Sequence, residues 1–186
     1  MAVFQFDPKL SIIRAYVGRI SPEKGIKEFI VAARRLPQIQ FPVAGSVDGW
    51  PAIRQGAPSN VEFRGFLSGD ALDMFFRMSR IIVFPSICFE GFPNVIAKAM
   101  AHRKPVIASR IGVIPEIVDD GVTGLLFEPG NTSELAEKIE YLWNRQDLCE
   151  EMGEAGFRKA REEYSEARYY ERLMDIYKKA LAFART

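Results

Sequence analysis

Short apolar runs alternate with segments of helical period from the start of this chain to about Phe127, and that alternation permits few architectures. Runs of Val, Ile and Phe without an intervening polar position must be covered on both faces. Covered strands of that kind lie parallel, with helices crossing back between them. Six such strands are predicted, at Ile12–Val17, Phe41–Ala44, Val61–Phe63, Ile81–Phe84, Val106–Ala108 and Gly124–Phe127. Helices are predicted between them at Gly25–Leu36, Gly69–Met78 and Asn94–His102, with a short one at Ile114–Val118. The reading is a doubly wound α/β domain with a six-stranded parallel sheet, and 186 residues suit one such domain.

From Thr132 onward the strands stop and three helices follow, at Ser133–Asn144, Leu148–Glu163 and Glu166–Phe183. The Thr132 or Ser133 hydroxyl is the expected N-cap of the first, and Ser165 precedes the last. The first two are expected to pack on the sheet. The third carries an aromatic cluster, Tyr164, Tyr169, Tyr170 and Tyr177, suited to meeting a partner domain.

Charge narrows the function. With 25 basic against 24 acidic side chains the net charge is +1, too little to gather nucleic acid along a face, so anion binding must be local. Cys88 and Cys149 belong to no CxxC or Cys/His spacing, which argues against a disulfide framework or a zinc site and for a reducing, cytoplasmic location. The most apolar segment, Ile81–Phe89, is broken by Pro85 and too short to span a bilayer; no integral membrane segment is expected.

In an open parallel sheet ligands bind beyond the carboxyl ends of the strands, which directs attention to two loops. The first, after strand one, reads VGRISPEKG. Arg19 and Lys24 flank a turn there and Gly25 opens a helix, so a planar guanidinium, a compact ammonium and free N–H groups face the same space. A phosphate pair is the matching ligand; taken alone, the two cations also fit solvated loop charges. The second loop, after strand four, reads FPSICFEGFPNVIAKAM. Glu90 can accept hydrogen bonds from hydroxyls, Gly91 lets backbone approach a ligand, and Phe92, Pro93 and Asn94 lead into the unpaired N–H groups of a helix. Alone, Glu90 equally fits an acid placed at the positive end of that helix. His102, the one histidine, reads as the end of a helix and not as a metal ligand.

Five ordered blocks, VGRISPEKG, VEFRGFLS, FPSICFEGFPNVIAKAMAHRKPVIAS, IPEIV and DDGVTGLLFEPGN, resemble the retaining glycosyltransferases of the GT-B fold, the group that includes sucrose synthase-like and glycogen synthase-like enzymes. The resemblance covers nearly the whole chain. It implies a Rossmann-like C-terminal, donor-binding domain that holds a UDP- or GDP-linked sugar for transfer of a hexose such as mannose or glucose to a glycan or lipid acceptor. By that resemblance Arg19 and Lys24 neutralise the diphosphate leaving group. Glu90 and the backbone of Gly91, Phe92, Pro93, Asn94 and Val95 hold the sugar and phosphates, Phe66 and Leu67 border the base, and Gly18 and Lys98 fall within the same donor-binding set. Preorganised cations stabilise the charge developing on the diphosphate, so neither metal nor cofactor is expected, and the sequence has no D-x-D triplet.

Departures from the family pattern fall at three places. A second glutamate is usual eight positions after the first, where it accepts from ribose hydroxyls; here the residue is Lys98, which has donors and no acceptor. Val113 replaces a common glycine, and His102-Arg103 stand where Cys-Gly is common. The resemblance further implies that residues 1–11 are a hinge from an absent N-terminal acceptor-binding domain. Residues 165–184 form a helix expected to touch that domain, and the isolated chain is expected to be inactive. It also leaves room for a peripheral position of the full enzyme at the inner face of the membrane. The alternative is an inactive nucleotide-binding or interaction module whose site Lys98 has weakened.

Overall fold

The computed structural model describes residues 13–46 and 51–183, so the expected hinge, together with Ile12 and residue 184, lies outside the described residues. Six parallel strands, β1 (Ile13–Val17), β2 (Phe41–Ala44), β3 (Val61–Gly65), β4 (Ser79–Phe84), β5 (Val106–Ser109) and β6 (Gly124–Phe127), form one sheet in the order β3-β2-β1-β4-β5-β6. Chain order runs outward from β1 in one direction and from β4 in the other. The order therefore reverses between those two strands, which pair with each other at the centre.

The strands divide two cores by their period of two. On β4, Ile81 and Val83 enter one core while Ile82 and Phe84 enter the other; on β1, Tyr16 faces the first and Ala15 and Val17 the second. The first core is closed by α1 (Ile26–Arg35) through Phe29 and Ile30, and by α5 (Thr132–Trp143) through Leu135, Ile139 and Leu142. The second is closed by α2 (Gly69–Met78), α3 (Asn94–Ala101) and α4 (Ile114–Ile117) through Phe76, Ile96, Met100 and Ile114. Each such aliphatic or aromatic side chain contributes about 1.5–3 kcal/mol by leaving water.

Helix α6 (Gln146–Glu163) buries Cys149, Met152 and Ala160, so the first two tail helices pack as expected. Their boundaries shift by one or two residues. The α5 cap is Asn131, whose side chain accepts from the Glu134 N–H at 3.1 Å, in place of the expected Thr132 or Ser133 hydroxyl. Helix α7 (Glu166–Phe183) contains no buried residue, and Tyr169, Tyr170, Ile176, Tyr177 and Leu181 are all exposed. His102 does end α3, donating its N–H to the Lys98 and Ala99 carbonyls and stacking flat on Phe76. Arg103 follows it at φ 55°, with Arg103 and Lys104 N–H groups returning to the Met100 and Ala99 carbonyls. That left-handed turn explains why glycine suits the position.

Candidate functional site

The loop after β1 is tied at both ends by one buried phenol. Tyr16 Oη donates to the Arg19 carbonyl at 2.7 Å and also lies 3.4 Å from the Lys24 carbonyl; burial pushes its pKa upward, so it stays a donor. Between these anchors Pro22–Lys24 makes one 3-10 turn, and Gly25 adopts φ 74° before α1 begins. A Cβ on Gly25 would fall inside the Pro85 carbonyl. Glycine here serves both a left-handed turn and the close approach of the loop after β4.

The two loops are joined beyond that contact. The Ile87 N–H donates to the Glu23 carbonyl at 3.0 Å, and the buried Ser86 Oγ lies 3.3 Å from the same oxygen. Lys24 Nζ pairs with Glu90 Oε1, Ser86 Oγ lies 3.0 Å from that oxygen and Cys88 Sγ 3.7 Å. All these contacts fall on Oε1, which leaves Oε2 to accept from a hydroxylated ligand. Arg19 reaches Glu23 at 2.8 Å and is 67% exposed, so that pair is worth little and opens readily to an anion. Hydrogen bonding to its own backbone N–H, with the nearby Arg19 guanidinium adding, holds the Glu23 carboxyl below the usual range. Gly91 has open space where a side chain would stand, and Asn94 is exposed at the start of α3.

Gly18 and Arg19 also line a cleft of about 320 Å³ with Phe66, Leu67, Leu72 and Gly45. Its walls are mostly apolar, and Phe66 is 77% exposed at the edge. Arg19 thus joins the ion-pair cluster to the cleft. Lys98 lies elsewhere: it lines a larger groove of about 890 Å³ with Phe92, Asn94, Glu163, Tyr164 and Tyr169. The structure therefore brings Arg19, Lys24 and Glu90 to one rim, places Gly18, Phe66 and Leu67 in the adjoining cleft, and sets Lys98 with Phe92 and Asn94 on the groove below α7. Val95 is half-buried and Pro93 buried as the α3 N-cap. Sequence reasoning missed Tyr16, Glu23 and Ser86; the Ser directly after the FP ending of a buried strand is the one signal that was present. Among the described residues no group of three or more His, Cys, Asp or Glu could hold a metal ion. No helix among them is long and apolar enough to cross a membrane.

A parallel sheet with the order 3-2-1-4-5-6 and a basic loop at its switch point defines a Rossmann-like domain. The chain belongs to the family described as glycosyl transferases group 1, whose sequence profile matches residues 5–159. It is 30% identical to the alpha-D-kanosaminyltransferase of Streptomyces kanamyceticus, over 88% of this chain and 44% of that protein. The chain thus spans less than half the length of that curated relative. The Francisella tularensis C-terminal domain of a glycosyl transferase group 1 family protein (LpcC) superposes with a TM-score of 0.72 and 28% identity, over 83% of this chain and 86% of that one. Anabaena Alr3699/HepE in complex with UDP-glucose superposes with a TM-score of 0.80 and 21% identity over 94% of this chain and 54% of that one, a likeness of fold.

Proposed function

We propose that this domain binds the donor of a retaining hexosyl transfer, a UDP- or GDP-linked sugar, and acts with an acceptor-binding domain that precedes it in the full protein. The observation that carries the reading is the joining of Lys24 to Glu90 across the switch point, with Arg19 at the same rim. Departure of a nucleoside diphosphate concentrates negative charge on the phosphates. Arg19, freed from Glu23, and Lys24 meet that charge as preorganised cations, so the chain supplies the electrostatic stabilisation with its own side chains. Glu90, fixed through Oε1, offers Oε2 to sugar hydroxyls, and the exposed backbone from Gly91 to Val95 offers donors. Phe66 and Leu67 border the base. The acceptor is a glycan or lipid, and the two unpaired thiols fit a cytoplasmic location. HepE was crystallised with UDP-glucose, a ligand of the proposed class on the same fold.

Calorimetry with UDP, GDP and their glucose and mannose conjugates tests this. Saturable binding that survives a chelator and is lost in Arg19→Ala and Glu90→Ala supports it; no binding by any of them overturns it. The purified domain is expected to transfer no sugar, because lobe closure around the donor needs the second domain. The groove position of Lys98, among Glu163 and Glu166, favours a second reading in which the domain is an interaction module with a weakened site. Restored nucleotide affinity in Lys98→Glu identifies position 98 as the cause of any weakness; an unchanged affinity removes it from the nucleotide site.

A further inference from the structure

A second basic cluster lies at the opposite, amino end of β1 and β4. Arg14 on β1 is 0% exposed, and none of its three guanidinium nitrogens has a hydrogen-bond acceptor among the described residues. Its guanidinium carbon stands 3.4 Å from the centroid of the Trp143 ring. Arg80 on β4 holds a second guanidinium 5.7 Å from the same ring, and its Nε is likewise buried without an acceptor. The pairing of β1 with β4 passes from Ile13↔Ser79 to Arg14↔Ile81, which leaves Arg80 as the extra residue of a bulge. Bulges re-aim side chains, and this one turns Arg80 toward the face that Arg14 occupies.

The charges here do not balance. Beside the pair is a cleft of about 260 Å³ whose wall includes Arg80, Arg103, Lys104, Gln146, Cys149 and Glu150. Arg103 is committed to Glu154 at 2.8 Å, and the one lining carboxylate, Glu150, accepts from Gln146 at 2.9 Å. Lys104 Nζ donates to the Arg77 carbonyl, a neutral acceptor. Among the described residues neither Arg14 nor Arg80 forms an ion pair. Burial, reinforced by Arg80, lowers the Arg14 pKa to about 9, which still leaves it charged at neutral pH. The adjacent Cys149 thiol supplies no anion, because burial raises its pKa. A buried guanidinium whose N–H groups find no acceptor is destabilising even when stacked on an aromatic ring, and a bound counter-ion offsets that.

We propose that this cleft binds a small phosphate-bearing anion, inorganic phosphate or a phosphate monoester, held by Arg80 and Lys104 in the field of the buried Arg14. The guanidinium fork of Arg80 matches two phosphate oxygens. The cleft, about 260 Å³, admits a phosphate group, and its lining of Arg80, Lys104 and Arg103 gives it the cationic character that such an anion requires. The site sits at the far ends of the strands that carry Arg19 and Glu90, so its occupancy is measurable apart from nucleotide binding.

The test is thermal melting and 31P NMR titration with inorganic phosphate and with glycerol 3-phosphate, at ionic strength held constant with sodium chloride. Wild type is expected to show a saturable rise in Tm with either probe. Arg80→Ala weakens binding on the order of tenfold to a hundredfold, as loss of a charged hydrogen bond does. Arg14→Met melts higher than wild type in phosphate-free buffer and loses the phosphate-dependent rise, because the buried charge is gone. Tighter binding of glycerol 3-phosphate assigns the site to a phosphorylated metabolite, and equal binding assigns it to free phosphate. A wild-type Tm indifferent to both probes, or undiminished affinity in Arg80→Ala, overturns the proposal; Arg80 is half-buried, so that variant decides the matter even if Arg14→Met does not fold.

Discussion

Replacing Gly25 with alanine tests whether the two site loops are locked together or merely adjacent. The substitution has two separable costs. The residue sits at φ 74°, and holding an L-residue in that region costs about 1–2 kcal/mol. The new methyl group also meets the Pro85 backbone carbonyl, and overpacking against backbone adds about 1–3 kcal/mol. Together these predict a loss of about 2–5 kcal/mol. Gly121 provides the control: its φ is 80°, but nothing lies within 4 Å of an added Cβ, so Gly121→Ala bears only the backbone cost of about 1–2 kcal/mol. Urea melts followed by circular dichroism compare the two. Since Pro85 leads directly to Ser86 and Glu90, Gly25→Ala should also weaken nucleotide binding, whereas Gly121→Ala should leave it alone. Equal stability losses in the two variants would refute the argument, because they would show that Pro85 yields freely and the loops are not locked.

Tyr16→Phe removes the donor to the Arg19 carbonyl and leaves a part-buried acceptor unsatisfied, so stability should fall by about 1–3 kcal/mol and nucleotide affinity with it; unchanged affinity would show that the phenol does not position the loop. Burial lowers the His102 pKa below 6.5 against a smaller opposing pull from Asp73, so the folded state binds fewer protons than the unfolded one. Stability from this group is full above the ordinary histidine pKa and declines as pH falls from there to the folded value; urea midpoints of His102→Gln measured across that range should lack the slope. Stopping the chain at Ser165 removes α7, which buries no residue, and should cost less than about 1 kcal/mol in a urea melt; a loss typical of a core helix would contradict the packing described.

Most of the scaffold was readable because a strand covered on both faces has a simple signature. Ile81–Phe84 and Val106–Ala108 hold no polar residue, and each was found where expected. Arg14 shows where that logic stops: it was read inside the first apolar strand and is indeed there, yet nothing in a run of neighbours reveals that an arginine has been stacked on Trp143 and left without an acceptor. The rim followed the same division. The two loops were identifiable from their residue types, whereas the pairing of Lys24 with Glu90 spans 66 positions and depends on β1 and β4 being adjacent. Asn131 took the α5 cap from Thr132 because an amide oxygen one residue earlier already reaches the Glu134 N–H. Lys98 was placed on a helix correctly, but which groove it lines depends on how α6 and α7 pass α3.

Strands β1 and β4 have paired neighbours on both sides, while β3 and β6 are the sheet's borders. In amide exchange the borders should lose protection first, and the two middle strands only when the whole molecule opens. The residues of the candidate site at Arg19, Lys24 and Glu90 are therefore suspended from the last part of the protein to come apart. Fraying at the periphery, whether by warming, by mild denaturant or by mutation, leaves their spacing intact until the fold itself is lost.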